Sequence, residues 1–338
     1  SRNLFGFGYN YNNLPGSAHD QFGNPDLKWE QTNKFNIGLD ITLFNRINIE
    51  LDYYNHRTKD MVFAVPVSMT TGLASYYRNI GELSNKGFEA SLGAQIIKTK
   101  DWEWNVNLTG SFNKNKVEKL STDAPIEGSI QTTQVGYPIY QFKMKEYAGV
   151  DPETGEAMWY LNEEGDETTK NYNQAAKRYL GGTTLKWKDL DLSVQMNYSL
   201  GGKIYGDNLR YDEQIGSAFY ENYNMYVYEN RWRKPGDITD VPRLTTDGGY
   251  ENSASSRFLM DGDYLKIRSI TLGYTLPQSI LNKTFIRSCR VFMNAENLYT
   301  FCAKNYRGFD PTGIGANGVQ WWNYPLPRSV MFGVTLGF

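Results

Sequence analysis

Ser329-Val330-Met331-Phe332-Gly333-Val334-Thr335-Leu336-Gly337-Phe338 closes the chain on an unbroken alternation. Successive side chains of a strand point to opposite sides, so Val330, Phe332, Val334, Leu336 and Phe338 share one face, and Met331, Gly333, Thr335 and Gly337 share the other. One face needs a greasy surrounding, which a protein core or lipid supplies. The chain is expected to end inside a strand, and the nature of that surrounding decides its function.

The same design recurs upstream. Phe35, Ile37, Leu39, Ile41 and Leu43 oppose Asn36, Gly38, Asp40 and Thr42; after a tight Asn45-Arg46 turn, Ile47, Ile49, Leu51 and Tyr53 oppose Asn48, Glu50 and Asp52. That pattern predicts a hairpin with its acid and amide groups on one face. Phe88, Ala90, Leu92, Ala94 and Ile96 oppose Glu89, Ser91, Gly93 and Gln95. Past a Lys98-Thr99-Lys100-Asp101 turn, Trp102, Trp104, Val106, Leu108 and Phe112 oppose Glu103, Asn105, Asn107 and Thr109. Two tryptophans just beyond a charged turn suit an interfacial aromatic girdle, with the rings at headgroup depth. A third pair runs from Thr183 to Trp187, turns at Lys188-Asp189 and continues through Leu190, Leu192, Val194, Met196, Tyr198 and Leu200 against Asp191, Ser193, Gln195, Asn197 and Ser199. Strands over about 264–276 and 287–299, joined through Leu276-Pro277-Gln278-Ser279-Ile280, complete an expected set of nine with 329–338.

Composition agrees with lipid on one side. The 40% hydrophobic content with 15% aromatics and 32 glycines is unusual for a cytosolic globule, but a transmembrane strand is only half apolar, so a membrane barrel averages out as hydrophilic. No run approaches the ~18–20 apolar residues of a membrane helix, which excludes a helical membrane protein. A net charge of −2 with interspersed signs leaves no footprint for nucleic acid. Cys289 and Cys302 would sit at opposite ends of one strand, about 40 Å apart at ~3.3 Å per residue, so both are expected as free thiols.

Between the strand pairs lie polar, aromatic-rich segments at roughly 1–32, 60–84, 115–181, 201–262 and 300–327, while the other connections are short. Short turns at one end and long loops at the other is the layout of an up-and-down antiparallel membrane barrel; such loops are implausible inside a compact soluble domain. Bacterial single-chain barrels have an even number of strands and tolerate no open edge in lipid. Nine strands are therefore expected to be a portion of a larger barrel, with 1–32 outside the cell. The alternative is a secreted β-sandwich, a soluble carbohydrate-binding module or adhesin, which explains alternation equally well.

Sites for chemistry are sparse. His19 and His56 lie near no cluster with metal-ligand spacing, and no cofactor motif or nucleophile signature is present. The carboxylates Asp40, Glu50, Asp52, Glu89 and Glu103 read as polar lining of a water-filled lumen together with Asn36, Asn105, Asn107, Asp191, Gln195 and Asn197; a glycosidase pair is the sharper alternative. Asp151-Pro152-Glu153-Thr154-Gly155-Glu156 lacks the ligand spacing of an EF-hand and reads as a turn. The loops offer candidate binding residues in Tyr220, Tyr223, Arg231, Trp232, Arg307, Asp310, Trp321, Trp322 and Tyr324, because flat aromatic faces beside Arg and Asp suit sugar stacking or a protein partner. Aromatics that merely join one loop to the next are the plainer reading of each.

Taken in order, several stretches resemble the C-terminal part of the SusC/RagA family of TonB-dependent outer-membrane transporters. They are Gly23-Asn24-Pro25-Asp26-Leu27-Lys28-Trp29-Glu30, Tyr147-Ala148-Gly149-Val150-Asp151-Pro152-Glu153-Thr154-Gly155, Tyr198-Ser199-Leu200-Gly201-Gly202-Lys203-Ile204-Tyr205, Asp263-Tyr264-Leu265-Lys266-Ile267-Arg268, Asn297-Leu298-Tyr299-Thr300-Phe301, Gly308-Phe309-Asp310-Pro311 and Tyr324-Pro325-Leu326-Pro327-Arg328. The resemblance implies a 22-stranded barrel of which residues 1–338 are the C-terminal portion, the N-terminal plug and first strands lying outside this chain. It implies a SusD-like surface lipoprotein as a lid, and TonB, acting through the plug, as the energy coupler. The setting would be the outer membrane of a Gram-negative, Bacteroidetes-like bacterium. Arg178-Tyr179-Leu180-Gly181 runs into Gly182-Thr183-Thr184 with fewer residues than family members usually have, which puts the register of 170–185 in question. The expected activity is import without catalysis or cofactor, of oligosaccharide or, as the rival cargo, peptide.

Overall fold

The computed structural model describes residues 2–11, 14–120, 124–172, 177–216, 222–245, 253–282 and 284–338. Nine strands form one antiparallel sheet: β1 (Gln31–Leu43), β2 (Ile47–Pro66), β3 (Ser75–Lys98), β4 (Trp102–Lys119), β5 (Lys177–Trp187), β6 (Leu190–Leu200), β7 (Tyr264–Thr275), β8 (Ser288–Cys302) and β9 (Ser329–Gly337). Their spatial order is their chain order, the pattern of an up-and-down wall. Tight turns join them at one end: Phe44 and Asn45 at φ 52° and 51°, and Lys188 at φ 52°, take the left-handed geometry that lets two residues reverse a twisted strand pair.

Two compact units make up the chain, Ser1–Ile37 with Tyr53–Gly87 and Asn113–Gln141, and Gly38–Asp52 with Phe88–Phe112 and Phe142–Phe338. In the first, an N-terminal hairpin pairs Leu4–Tyr11 with Leu14–Gln21, and a small core gathers Leu83, Val117 and Leu120 with Met61, Ile126 and Ile139. In the second, the register carries apolar rows straight across the wall. Trp104, Leu185, Leu192, Leu272, Met293 and Phe332 stand opposite one another in succession, as do Trp102, Trp187, Leu190, Tyr274, Val291 and Val334.

These rows are not buried. Leu108 is 50% exposed, Val330 56% and Phe332 81%, whereas the largest buried apolar side chains of the second unit, among them Phe142, Tyr205, Leu209, Ile215, Phe258 and Met260, belong to its loops. A soluble sandwich buries its alternating face between two sheets; here that face is open along the wall, so the sandwich alternative is set aside. Aromatics mark the short-turn end: Trp102 and Trp187 stack at 5.8 Å and Phe285 lies parallel to Phe338 at 5.7 Å, as a girdle at a membrane–water boundary requires. No helix among the described residues is long and apolar enough to cross a membrane.

β7 changes parity in mid-strand. Leu265 and Ile267 share the apolar face with Ile270, Leu272 and Tyr274 because Arg268 is an extra residue against β6, while on the other side β8 sets two residues, Asn297 and Leu298, opposite it. In β5 Arg178 to Trp187 pair without interruption on both sides, which fixes the questioned register over 178–185; residues 173–176 lie outside the described residues. The strands also outrun their expected ends, β2 to Pro66, β4 to Lys119 and β8 to Cys302, and the expected 1–32 loop contains the N-terminal hairpin. Cys289 and Cys302 are free, at opposite ends of β8.

Substituting Leu108→Arg, near the middle of the apolar band, is expected to destabilise the folded wall by about 2–4 kcal/mol, and Asn107→Arg on the opposite face by far less. Urea unfolding in lipid vesicles, followed by the gel shift between folded and unfolded forms, checks the difference.

Candidate cargo surface and lumen wall

The polar face of the wall is a ladder of hydrogen bonds. Thr42 donates to Asn48 (3.0 Å), His56 pairs with Asn36 (2.8 Å), and Gln95 and Asn105 both donate to Glu103 (3.3 and 3.0 Å). Asp52 crowds Gly38, and Asn107 lies against Gly93. By strand alternation Asp40, Glu50, Glu89, Asp191, Gln195 and Asn197 share this face, so all eleven residues expected to line a lumen lie on one side. An ion pair reaches across an intervening strand and joins Arg290 of β8 to Asp191 of β6, its Nε and Nη2 at 3.1 and 2.6 Å. β7 lies between them, and Gly273 makes the reach possible because a Cβ there would collide with the Arg290 guanidinium.

At the long-loop end, small sheets anchor the connections. Lys203–Gly206 pairs antiparallel with Leu259–Asp261 and parallel with Val319–Gln320, and Tyr205, fully buried against Phe142 at 6.2 Å, fixes them to the loop core. A short helix, α1 (Asp207–Asp212), follows directly and places Arg210, Tyr211 and Asp212 beside the 319–324 segment. There Trp322 donates to Asp212 (3.2 Å), its ring 5.3 Å from Tyr211 and 6.3 Å from Trp321, while the Arg210 guanidinium covers Tyr211 at 4.4 Å. Trp321 and Trp322 remain about half exposed and Tyr324 is 99% exposed. This is a shelf of flat rings edged by a cation and a carboxylate.

Other expected binding residues are committed elsewhere. Trp232 lies over Gly155 and donates to the Pro152 carbonyl (2.9 Å), closing the 151–156 turn; that turn is formed by Asp151, which accepts from the Glu153 N–H, and Gly155 at φ 75°. Asp310 caps the turn at Thr312 and pairs with the nearly buried Lys266 (2.7 Å). Burial raises its carboxyl, but Lys266 and the Thr312 hydrogen bonds prevail and hold it below the usual range. Arg231 is tied through its backbone to Val241 and Val227, Tyr223 is partly exposed, and Tyr220 lies outside the described residues.

Arg307 belongs to a network that sequence reading did not find. Its Nε stands 3.1 Å from Oε1 of Glu213, which is wholly buried, Arg257 Nη2 stands 3.6 Å from Oε2, and Arg307 Nη1 is 3.3 Å from Asp240. The Glu213 contacts lack hydrogen-bond alignment, so charge rather than directed bonding holds them. Tyr226 donates to Asp240 (2.7 Å) and lies under the Arg307 guanidinium at 4.6 Å; Tyr147 donates to the Asp240 carbonyl (2.9 Å). Burial pushes the Glu213 carboxyl up against the opposing pull of Arg307 and Arg257, and pushes the Tyr147 hydroxyl up as well. The network ties together segments far apart in sequence, which is why no local pattern announced it.

Residues 3–298 match the family model described as TonB dependent receptor-like, beta-barrel. The chain is 30% identical to "TonB-dependent receptor P3" of Formosa agariphila over 94% of its length and 29% identical to "TonB-dependent receptor SusC" of Bacteroides thetaiotaomicron over 93%. It spans 35% and 32% of those relatives, about a third of their length. The solved "Structure of the RagAB peptide transporter" superimposes over all of the chain and 38% of its own, with a TM-score of 0.82 and 28% identity. The chain therefore belongs to the TonB-dependent receptor β-barrel family, and its likeness is to the SusC and RagA receptors.

Glu213→Ala leaves the buried Arg257 guanidinium uncompensated, while Arg307 keeps Asp240, and is expected to cost about 3–5 kcal/mol of local stability. Faster amide exchange across 207–215 and 255–260, with wall strands β5 to β8 unchanged, is the readout.

Proposed function

We propose that this chain is wall and loop assembly of a TonB-coupled importer in the outer membrane, acting without catalysis, and that its cargo is oligosaccharide captured together with a SusD-like lipoprotein lid. The observation that carries the cargo reading is the exposed shelf of Tyr211, Trp321 and Trp322 edged by Arg210 and Asp212. Pyranose rings have apolar faces that lie flat on indoles and hydroxyl rims that bond to neighbouring charged groups. Below the shelf, the amide and carboxylate ladder of the polar face offers successive weak sites suited to a hydroxylated solute that must bind and then leave.

The open sheet supports the larger assembly. Among the described residues β1 and β9 each have a neighbour on one side only, and an unpaired edge is not sustained in hydrocarbon, so we propose that further strands close the barrel and that a plug fills it. Peptide is the second reading, favoured by the extent of the structural likeness to a peptide transporter; the Asp191–Arg290 pair could then meet the charged ends of a peptide.

The test is binding of the native receptor, with its lipoprotein if one co-purifies, to glycan and peptide pools. Trp322→Ala is expected to weaken glycan binding by about tenfold, or ~1.4 kcal/mol, and to leave peptide binding unchanged. Selective loss of peptide binding would move the assignment to peptide.

A further inference from the structure

The two faces of the wall exchange character partway up the strands. From the short turns upward, β3 carries Ile96, Ala94, Leu92, Ala90 and Phe88 on the apolar face, then Lys86, Ser84 and Glu82; β4 carries Trp102 to Phe112, then Lys114, Lys116 and Glu118; β2 carries Ile47 to Tyr53, then Asn55, Arg57 and Lys59. On the opposite face the change runs the other way, with Leu83 and Val117 entering a buried core. The apolar stretch from Trp102 to Phe112 is about 33 Å along the strand at ~3.3 Å per residue, or about 25 Å of height at the usual barrel tilt, the thickness of the hydrocarbon band of an outer membrane. Phe35, Tyr53, Phe88 and Phe112 thus mark its upper limit, on the side of the long loops.

Directly above that limit, a 380 Å³ recess is lined by Phe35, Arg57, Lys59, Ser84, Lys86 and Glu118. Arg57 is engaged by Glu82 (2.7 Å) and Lys116 by Glu118 (2.9 Å), and Glu118 also accepts from Ser84 (2.6 Å). Those pairs fix the walls of the recess. Lys59, Lys86 and Lys114 are exposed and carry no ion pair among the described residues. Free ammonium groups one step above an aromatic rim, two of them (Lys59 and Lys86) lining a preformed recess, provide for phosphate at headgroup depth and acyl chains below it.

We infer that this outward face binds the phosphorylated headgroup of an outer-leaflet glycolipid, with Lys59, Lys86 and Lys114 meeting the phosphates and Phe35 and Tyr53 the upper acyl chains. The inference rests on the membrane placement proposed above. It concerns the lipid side of the wall, apart from cargo, lid or plug.

The experiment uses the full-length receptor in lipid nanodiscs containing a phosphorylated disaccharide glycolipid or its dephosphorylated form, with retained lipid counted by native mass spectrometry. The receptor is expected to retain the phosphorylated form roughly tenfold better, and Lys59→Gln/Lys86→Gln/Lys114→Gln to erase that preference. Lys98→Gln/Lys100→Gln, at the opposite end of the wall, is expected to keep it. Equal retention of the two lipids, or a triple variant that behaves as the parent, overturns the inference. So does inorganic phosphate that displaces the glycolipid at equal concentration, which would assign a free-anion site. Insertion is scored separately by gel shift; a receptor that never enters the nanodisc overturns the membrane placement and this inference together.

Discussion

Hydrocarbon offers no hydrogen bonds, so every N–H and C=O of a spanning strand must find its partner on a neighbouring strand. That demand dictates the long ladders of β4 through β9, which among the described residues are broken only at the Arg268 bulge. It also fixes where side chains go. Once the ladder is continuous, alternation sends one residue in two to lipid and the next to water, and the apolar rows line up strand by strand without any core to direct them.

Stability and specificity are consequently placed in different parts of the molecule. The wall buries little of its own apolar surface and relies on its surroundings, whereas the loops carry a true protein interior around Phe142, Tyr205 and Phe258, pinned by the Glu213–Arg257–Arg307 charges. On the proposed reading, loops anchored in this way lose less ordering entropy when their flat rings take up cargo.

The wall was legible because its period of two is written into consecutive residues; nine strands, the turns at Asn45 and Lys188, the free cysteines and the polar lining all follow from it. The strand ends were not, because β2, β3 and β4 continue above the membrane with the polarity of their faces exchanged, which breaks the pattern without breaking the strand. The loop sheets were hidden for a different reason. Lys203–Gly206 finds Val319–Gln320 across more than a hundred residues, and segments of two to four residues have no period to read. Trp232 and Trp322 look alike in sequence, each beside charged or aromatic neighbours. Only tertiary placement tells them apart, Gly155 leaving room to bury one face of the first while the second stays on the rim.

The Arg268 bulge shows what freedom such a wall has to change. One added residue reverses the facing of everything beyond it unless the backbone absorbs the addition locally, as β7 does against β6 between Ile267 and Ser269. Insertions and deletions inside the strands should therefore survive descent only in twos, or singly with a compensating kink. The loops are under no such parity rule, and drift in length among relatives should collect there, so that one end of the wall can be rebuilt while its span stays constant.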